Sequence, residues 1–284
     1  MGMWNQVKTA LLLGALTGIV LWIGSFWSQT GLIIALVFVV LLNFAAYFFS
    51  DKIALGIYHA KPVTENEQPK LYGIVREVAH LAHVPMPKVY VIPSESPNAF
   101  ATGRNPKHAA VAATHGIMNL LTHDELKGVI AHEIAHIKNR DILIQSVAAT
   151  IAGVITFVAT MARWGALFGG FGGRDGDSSG LIEFLAIAIL APILAVILQL
   201  ALSRNREYQA DATGAKFIHN PHVLADALHK LDTSIKKHPM GTGSASTAHM
   251  FIANPFRLKN IFAILSTHPP MEKRIQKLRE MRLS

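Results

Sequence analysis

The sequence contains no cysteine among its 284 residues. This absence excludes a disulfide framework, a cysteine-based zinc ribbon and a thiol nucleophile, so any bound metal must be held by histidine, aspartate or glutamate. Charge is also scarce, because 15% of the residues are charged whereas 51% are hydrophobic. An average soluble domain carries roughly 25% charged residues, so this balance excludes the ordinary soluble, disordered and coiled-coil classes.

The charge is missing from three stretches, residues 9–50, 142–162 and 184–203. A membrane-spanning helix needs about 20 apolar residues, because each residue advances about 1.5 Å and the hydrocarbon layer is about 30 Å thick. The first stretch is long enough for two spans and is divided in its middle by glycine and polar residues, so we predict helices at 8–27 and 31–50. The other two stretches predict one span each.

Each apolar stretch has an alternative interpretation. The first helix has the apolar core of a signal peptide, but Lys8 is its one early side-chain cation and no small-residue cleavage site precedes a polar start. These features favour a retained anchor. The later two stretches are apolar enough to be buried core helices, and Pro192 and Gln199 interrupt the last one.

The basic residues predict the orientation in the membrane. Of 26 lysines and arginines, ten lie in 51–140 and thirteen in 204–284, whereas the 163–183 connection contains two. Because positive loops stay on the cytosolic side, we expect both large polar segments and both termini in the cytosol. The net charge of +8 is then explained by these loops beside anionic lipids, and it requires no nucleic acid.

The first polar segment predicts a mainly helical domain with a small β-sheet. Thr122 and Glu125 have the Ser/Thr-x-x-Glu spacing of a capping box, which begins a helix near residue 123. A turn-rich segment at 103–107 is expected to join two short strands. The expected helices are 67–82, 116–121 and 123–140, and the expected strands are 88–92, 98–102 and 109–113.

His132, Glu133 and His136 form the pattern H-E-x-x-H in the helix predicted at 123–140. Residues four apart on a helix are separated by about 400°, so the two imidazoles emerge on one face and can share a metal ion. Two imidazoles and a carboxylate suit zinc and leave a fourth position for water. Glu133 is placed to take a proton from that water. A helix with surface His and Glu side chains is the alternative.

A third ligand is expected where charge returns after the last apolar stretch. Glu207 and Asp211 lie four residues apart on one face of a predicted helix. Glu207 is the candidate ligand, and Asp211 is the candidate acceptor for the second ring N–H of a ligand histidine. A charged helix end facing water is the alternative. His219 and His222 are rival third ligands that rank lower, because the residues between them predict a turn.

Several motifs occur in order along almost the whole chain. They are Phe49-Ser50-Asp51-Lys52, Ser96-Pro97-Asn98-Ala99-Phe100-Ala101-Thr102-Gly103, the H-E-x-x-H motif, Arg206-Glu207-Tyr208-Gln209-Ala210-Asp211 and Ser266-Thr267-His268-Pro269-Pro270. Together they resemble the HtpX family of bacterial membrane zinc metalloproteases, M48-type gluzincin peptidases related to the CAAX prenyl proteases. The resemblance implies one Zn²⁺ per chain, held by His132, His136 and Glu207, with Glu133 as general base.

The resemblance also implies roles that spacing alone does not supply. Asn98 matches a position that places substrate beside an edge strand, so that a bound peptide pairs as an added strand. His268 and Arg274 match a pair that stabilises the oxyanion of the reaction. Without the resemblance, these two would be interpreted as a helix-capping histidine and a surface arginine.

The expected architecture is a membrane α-helical protein of about four transmembrane helices with a mainly α zincin-type metalloprotease domain and a small β-sheet. It has an N-terminal hairpin at 8–50, a catalytic segment with the H-E-x-x-H helix at 51–141, a second hairpin at 142–203 and a catalytic segment with the third ligand at 204–284. The metal then lies close to the cytosolic surface of the bilayer, because apolar stretches begin or end beside its ligands.

The expected function is zinc-dependent endopeptidase activity in the bacterial cytoplasmic (inner) membrane. The resemblance implies a role in protein quality control and stress response, with misfolded or damaged membrane proteins or their cytosolic loops as substrates. Intramembrane cleavage is disfavoured, because charged residues around the motif would be costly in hydrocarbon. Two alternatives remain: a prenyl-protein-processing peptidase with a lipid-sized cavity, and a non-catalytic receptor or scaffold with a closed, structural zinc site.

Overall fold

A computed structural model of the protein describes residues 2–25, 29–148, 150–151, 204–237, 252 and 269–282. This part of the chain is mainly helical and contains one small sheet. Its helices are α1 (Gly2–Ser25), α2 (Gln29–Phe48), α3 (Ser50–Ile57), α4 (Pro69–Leu81), α5 (His115–Leu120), α6 (His123–Asn139), α7 (Arg204–Phe217), α8 (Pro221–Lys237) and α9 (Met271–Glu280). Its strands are β1 (Lys61–Pro62), β2 (Lys88–Ile92), β3 (Ala99–Asn105) and β4 (His108–Thr114).

Helices α1 and α2 form the predicted N-terminal hairpin. The Asn43 amide of α2 donates a hydrogen bond to Thr17 Oγ1 of α1, with a separation of 2.8 Å. Within the described residues, α2 is the one helix long and apolar enough to cross a bilayer, with a mean hydropathy of 2.5. The apolar part of α1, Val7–Trp22, is shorter than the roughly 20 residues that a membrane span needs.

The third apolar stretch begins as a helix that packs against this hairpin. Residues 142–148 and 150–151 are helical. Val147, Ala148 and Ile151 form a buried cluster with Leu16 of α1 and Ala46 of α2. The remainder of this stretch and the whole of 184–203 lie outside the described residues, so the four-span topology stays a prediction.

Helix α3 was not predicted as a separate element. The second span was expected to reach residue 50, but the α2 helix ends at Phe48, and Phe49 has φ −121° and ψ 7° before α3 begins. Ala54 and Leu55 of α3 pack on one face of the sheet against Phe100 and Ala112. The helix therefore attaches the sheet directly to the end of the α2 helix.

The sheet has the strand order β1-β2-β4-β3, with β2 and β4 parallel and the other pairs antiparallel. The two predicted strands pair with each other, but the turn between them is shorter than predicted, because β3 continues to Asn105 and β4 begins at His108. A bulge separates Gly103 from Asn105, and Gly103 has φ +139°. A Cβ there would lie 2.2 Å from the His108 carbonyl oxygen, so the close approach requires glycine. Strand β3 is an edge strand.

Helix α6 runs through the main hydrophobic core. Thr122 and Glu125 form the predicted capping box at its start, and Arg140 ends it in the left-handed conformation at φ 58° and ψ 39°. Its apolar side chains, including Val129, Ile134 and Ile137, are fully buried in one core with α4, α8 and the sheet. This rigid environment fixes the positions of the side chains that α6 carries.

Candidate metal centre

Three buried side chains from α6 and α7 present donor atoms to one point. The Nε2 atoms of His132 and His136 are 3.1 Å apart. Glu207 Oε2 lies 3.6 Å from His132 Nε2, and Glu207 Oε1 lies 3.5 Å from His136 Nε2. All three residues are buried. The structure thus brings together the three residues expected to hold a metal.

This donor set fits a tetrahedral metal ion. Two ligand atoms at about 2.0–2.1 Å from zinc and at a tetrahedral angle lie about 3.4 Å apart, close to the three separations in the site. Each histidine Nδ1 faces a carboxylate, and each Nε2 is directed at the common donor group. A metal ion in this position would be held by both of these nitrogens, which are 3.1 Å apart.

Helix α7 packs close to His132 and His136 of α6 because a glycine permits a short distance between the helices. A Cβ added at Gly214 would lie 2.8 Å from the carbonyl carbon of Ala131 and from the backbone nitrogen of His132. No side chain fits in that space, so the helix axes approach closely only with glycine at this position. Glu207 and Asp211 are presented to α6 by this contact.

His132 is held by a carboxylate and an arginine from two other helices. Its Nδ1 lies 2.9 Å from Asp211 Oδ1. Arg274 of α9 donates to both oxygens of Asp211, from Nε at 2.8 Å and from Nη2 at 2.7 Å. Burial would raise the pKa of Asp211, but Arg274 and His132 hold that pKa at about 2, so the carboxylate is ionised.

His136 is held by a carboxylate close to it in sequence. Its Nδ1 lies 3.1 Å from Asp141 Oδ2. Burial would lower the pKa of His136, but Asp141, Glu207 and Glu133 outweigh it and raise the pKa to about 10. The surrounding carboxylates therefore favour positive charge on this ring.

Glu133 is fixed beside the three donor residues by a hydrogen bond to the edge strand. Its Oε2 accepts a hydrogen bond from the backbone N–H of Ala101 in β3, at 2.8 Å. Burial raises the pKa of Glu133 above that of an ordinary glutamate. A carboxylate with a raised pKa and one fixed oxygen is suited to accept a proton and to return it.

Backbone N–H groups on the outer edge of β3 donate hydrogen bonds to side chains of helical residues. The N–H of Thr114 donates to the Asn98 carbonyl, so the next pair along the strands, Ala99 and Ala113, is not hydrogen-bonded. The backbone N–H and C=O groups of Ala99, and of every second β3 residue after it, therefore point away from β4. Gly103 is one of these residues, and its N–H donates a hydrogen bond to Ser146 Oγ at 3.2 Å. Ser146 lies in the helical segment 142–148, so the start of the third apolar stretch is bonded to the edge strand.

Asn98, predicted to position substrate, and Arg274, predicted to stabilise the oxyanion, both contact the backbone of Ile252. Asn98 is buried, and its Oδ1 accepts a bond from the N–H of Ile252 at 3.4 Å. Arg274 Nη1 donates to the carbonyl of Ile252 at 2.9 Å. The interpretation of Arg274 as a surface residue is wrong, because its side chain is 0% exposed. His268 lies outside the described residues.

The alternatives to Glu207 as the third donor do not agree with the structure. Glu207 and Asp211 are buried, so the interpretation of a charged helix end facing water is wrong. His219 and His222 lie at the junction of α7 and α8, and neither belongs to the three-residue donor group found among the described residues. Sequence reasoning missed Asp141, Ser146 and the Ala101 N–H, since each contact depends on a turn or a strand register.

A buried His-His-Glu donor group with an adjacent glutamate is the arrangement expected of H-E-x-x-H metallopeptidases. The chain matches Peptidase family M48 over residues 65–282. A "Protease HtpX homolog" of Syntrophobacter fumaroxidans is 51% identical over 284 residues, which cover 98% of this chain and 100% of the relative. Another of Pyrococcus furiosus is 48% identical over 281 residues, which cover 99% and 96%. The chain therefore belongs to peptidase family M48, among the HtpX homologues.

A solved structure supports the same fold. The crystal structure of S. mikatae Ste24p has a TM-score of 0.52 and 21% sequence identity with this chain, and the match covers 97% of this chain and 66% of that one. The chain thus spans about two thirds of that protein. Family membership confirms the expectation of a membrane metallopeptidase and does not favour the prenyl-processing or non-catalytic alternatives.

Proposed function

We propose that the chain is a zinc-dependent endopeptidase whose active site faces the cytosol at the membrane surface. The observation that carries the proposal is the donor group of His132, His136 and Glu207 with Glu133 directly beside it. Two imidazoles and one carboxylate form a ligand set that zinc prefers, and they leave one coordination position open for catalysis. We propose one zinc ion per chain.

The protein residues divide the chemistry between binding and proton transfer. His132, His136 and Glu207 would hold the zinc, which supplies Lewis-acid polarisation of water and carbonyl when bound. Glu133 removes the proton of the attacking water and passes it to the leaving amine. Because Oε2 of Glu133 accepts the Ala101 N–H, Oε1 is the oxygen that takes this proton.

Substrate is proposed to lie along the N-terminal end of β3. Asn98 and Arg274 hold the N–H and the carbonyl of one residue, Ile252, so both groups are suited to grip a peptide backbone. An edge strand adds further backbone hydrogen bonds by pairing. We propose that Asn98 positions the substrate, that Asp211 orients His132, and that Arg274 and His268 stabilise the oxyanion.

The membrane arrangement supports substrates that lie in or near the bilayer. The helical segment that begins at residue 142 follows α6 directly and packs on the α1–α2 hairpin. We propose four spans with both termini in the cytosol, two hairpins at 8–50 and 142–203, and catalytic segments at 51–141 and 204–284. We further propose a bacterial cytoplasmic membrane location, and quality control of misfolded or damaged membrane proteins as the function.

Cleavage of an unfolded membrane protein by the purified full-length chain tests this proposal. Wild type, Glu133→Gln and Glu77→Gln are compared at equal zinc content. Glu77 is the matched control, because it lies on α4 and pairs with Lys127 at the protein surface. We expect cleavage by wild type and by Glu77→Gln, and at least a 100-fold loss in Glu133→Gln with zinc retained. Equal cleavage by all three proteins would overturn the proposed mechanism.

A further inference from the structure

Asp141 is a buried carboxylate for which the proposed mechanism has no role. It is 2% exposed and lies between α6 and the helical segment that continues into the third apolar stretch. Buried carboxylates are costly unless they are paired or hydrogen-bonded. Its position five residues after His136 therefore requires an explanation.

The contact of Asp141 with His136 has a defined direction. His136 Nε2 faces the donor group, so a metal ligand role requires the proton of the ring to be on Nδ1. Nδ1 lies 3.1 Å from Asp141 Oδ2 and 3.4 Å from Gln145 Nε2. The N–H at Nδ1 donates to the carboxylate, which fixes both the tautomer and the orientation of the ring.

The backbone holds Asp141 in this position. Arg140 adopts the left-handed conformation, and the turn brings the Asp141 N–H to 3.2 Å from the His136 carbonyl. The Asp141 carbonyl accepts a bond from the Gln145 N–H at 3.3 Å, so Asp141 begins the next helix. The residue that contacts the ligand is thus built into the junction between the catalytic helix and the membrane-directed helix.

A second buried charge lies near Asp141. Arg206 of α7 is 7% exposed, and its Nη1 and Nη2 have no hydrogen-bond partner within the described part of the chain. Burial lowers the pKa of Arg206, and the negative charges of Asp141 and Glu207 oppose that shift. Removing the charge of Asp141 therefore also removes part of what opposes the effect of burial on Arg206.

We propose that Asp141 is a positioning residue that orients His136 for metal binding. The inference rests on the proposed metal site. Hydrogen-bonded partners of ligand histidines fix the ring and increase its basicity as a ligand, and their loss typically weakens metal affinity by roughly 10–100-fold. The junction between α6 and the apolar helix thereby becomes part of the metal centre.

Zinc competition with a chromophoric chelator tests the proposal on purified full-length protein. We expect Asp141→Ala to weaken zinc affinity by roughly 10–100-fold. Asp141→Asn keeps an acceptor oxygen but removes the charge, so we expect a smaller loss. Asp124→Ala is the matched control, because Asp124 is an exposed aspartate of α6, and we expect it to bind as wild type does.

Two further measurements separate positioning from a general effect on the fold. In excess chelator, Asp141→Asn should still unfold in one cooperative thermal transition, which shows that its loss of zinc affinity is not a failure to fold. In a His136→Ala background, Asp141→Ala should change zinc affinity less than twofold. A full additional loss in that background would overturn the proposal.

The failures of the two proposals are distinguishable. If wild type binds no zinc, the proposed metal site fails. If wild type binds zinc and both Asp141 variants bind it within twofold of wild type, the metal site stands and the role of Asp141 is refuted.

Discussion

His132 and His136 present the same atom to the same metal position, yet their other ring nitrogens are held differently. His132 Nδ1 faces Asp211, whose two oxygens both accept bonds from Arg274. His136 Nδ1 faces Asp141, whose second oxygen has no hydrogen-bond partner among the described residues. One carboxylate comes from a distant helix and the other from the next turn of the chain.

The two histidines are therefore held in place by different parts of the fold. The His132 side joins α6, α7 and α9, so it requires the C-terminal part of the chain to be folded onto the catalytic helix. The His136 side requires the turn that leads from α6 toward the membrane. We infer that the metal centre depends on both the soluble fold and the membrane junction.

The largest effect is expected from a change at Glu207, whose carboxylate lies close to both histidines. Replacing Glu207 by glutamine removes the anionic ligand and should weaken zinc binding at least 100-fold and abolish cleavage. Zinc content after dialysis and proteolysis of an unfolded substrate measure these losses. Retention of one zinc per chain by Glu207→Gln, with normal cleavage, would contradict the assignment.

Asp211→Ala should break the His132 side at a large cost in stability. The change leaves the fully buried guanidinium of Arg274 without its paired carboxylate, which typically costs about 3–5 kcal/mol. Chemical unfolding of metal-free protein measures this loss. Exchanging Arg274 for methionine in the same chain should recover part of the stability, whereas Asp226→Ala at an exposed position should change little. Equal stability of Asp211→Ala and wild type would remove the distinction between the two sides.

Gly214→Ala should disturb both sides together. The added Cβ would meet the backbone of Ala131 and His132, so α7 must move away from α6. Overpacking of this kind typically costs about 1–3 kcal/mol. We expect weaker zinc binding as well, because Glu207 moves relative to both histidines. Unchanged zinc affinity in Gly214→Ala would show that the helix spacing does not set the ligand geometry.

The smallest effect is expected at the start of α6. Thr122→Ala removes the side-chain acceptor of the capping box and should reduce stability by about 1 kcal/mol. Both histidines lie on the same helix several turns from this cap, so zinc affinity should stay within twofold of wild type. A large loss of zinc affinity would contradict the account, since it would mean that the cap controls the ligand geometry.

The sequence predicts those parts of the site that depend on local geometry. The spacing of His132 and His136 on one helix follows from the helical repeat, and the capping box of α6 follows from two side chains. The position of Glu207 opposite them was expected from the motif order and is found in the structure.

Other features depend on contacts that no local pattern records. Asp141 reaches His136 because Arg140 adopts a left-handed conformation, and arginine does not signal this conformation as glycine does. Arg274 resembles any other cation of a basic tail until α9 packs on α7. Strand β3 continues through a segment rich in turn residues because pairing with β4 outweighs local preference.

Zinc K-edge X-ray absorption of the purified wild-type chain tests the metal assignment most directly. We expect one zinc per chain, with two imidazole nitrogens at about 2.0–2.1 Å and the remaining ligands oxygen. A chain that binds no zinc would contradict the account. A spectrum that requires three imidazoles would also contradict it, because a third histidine would then replace Glu207.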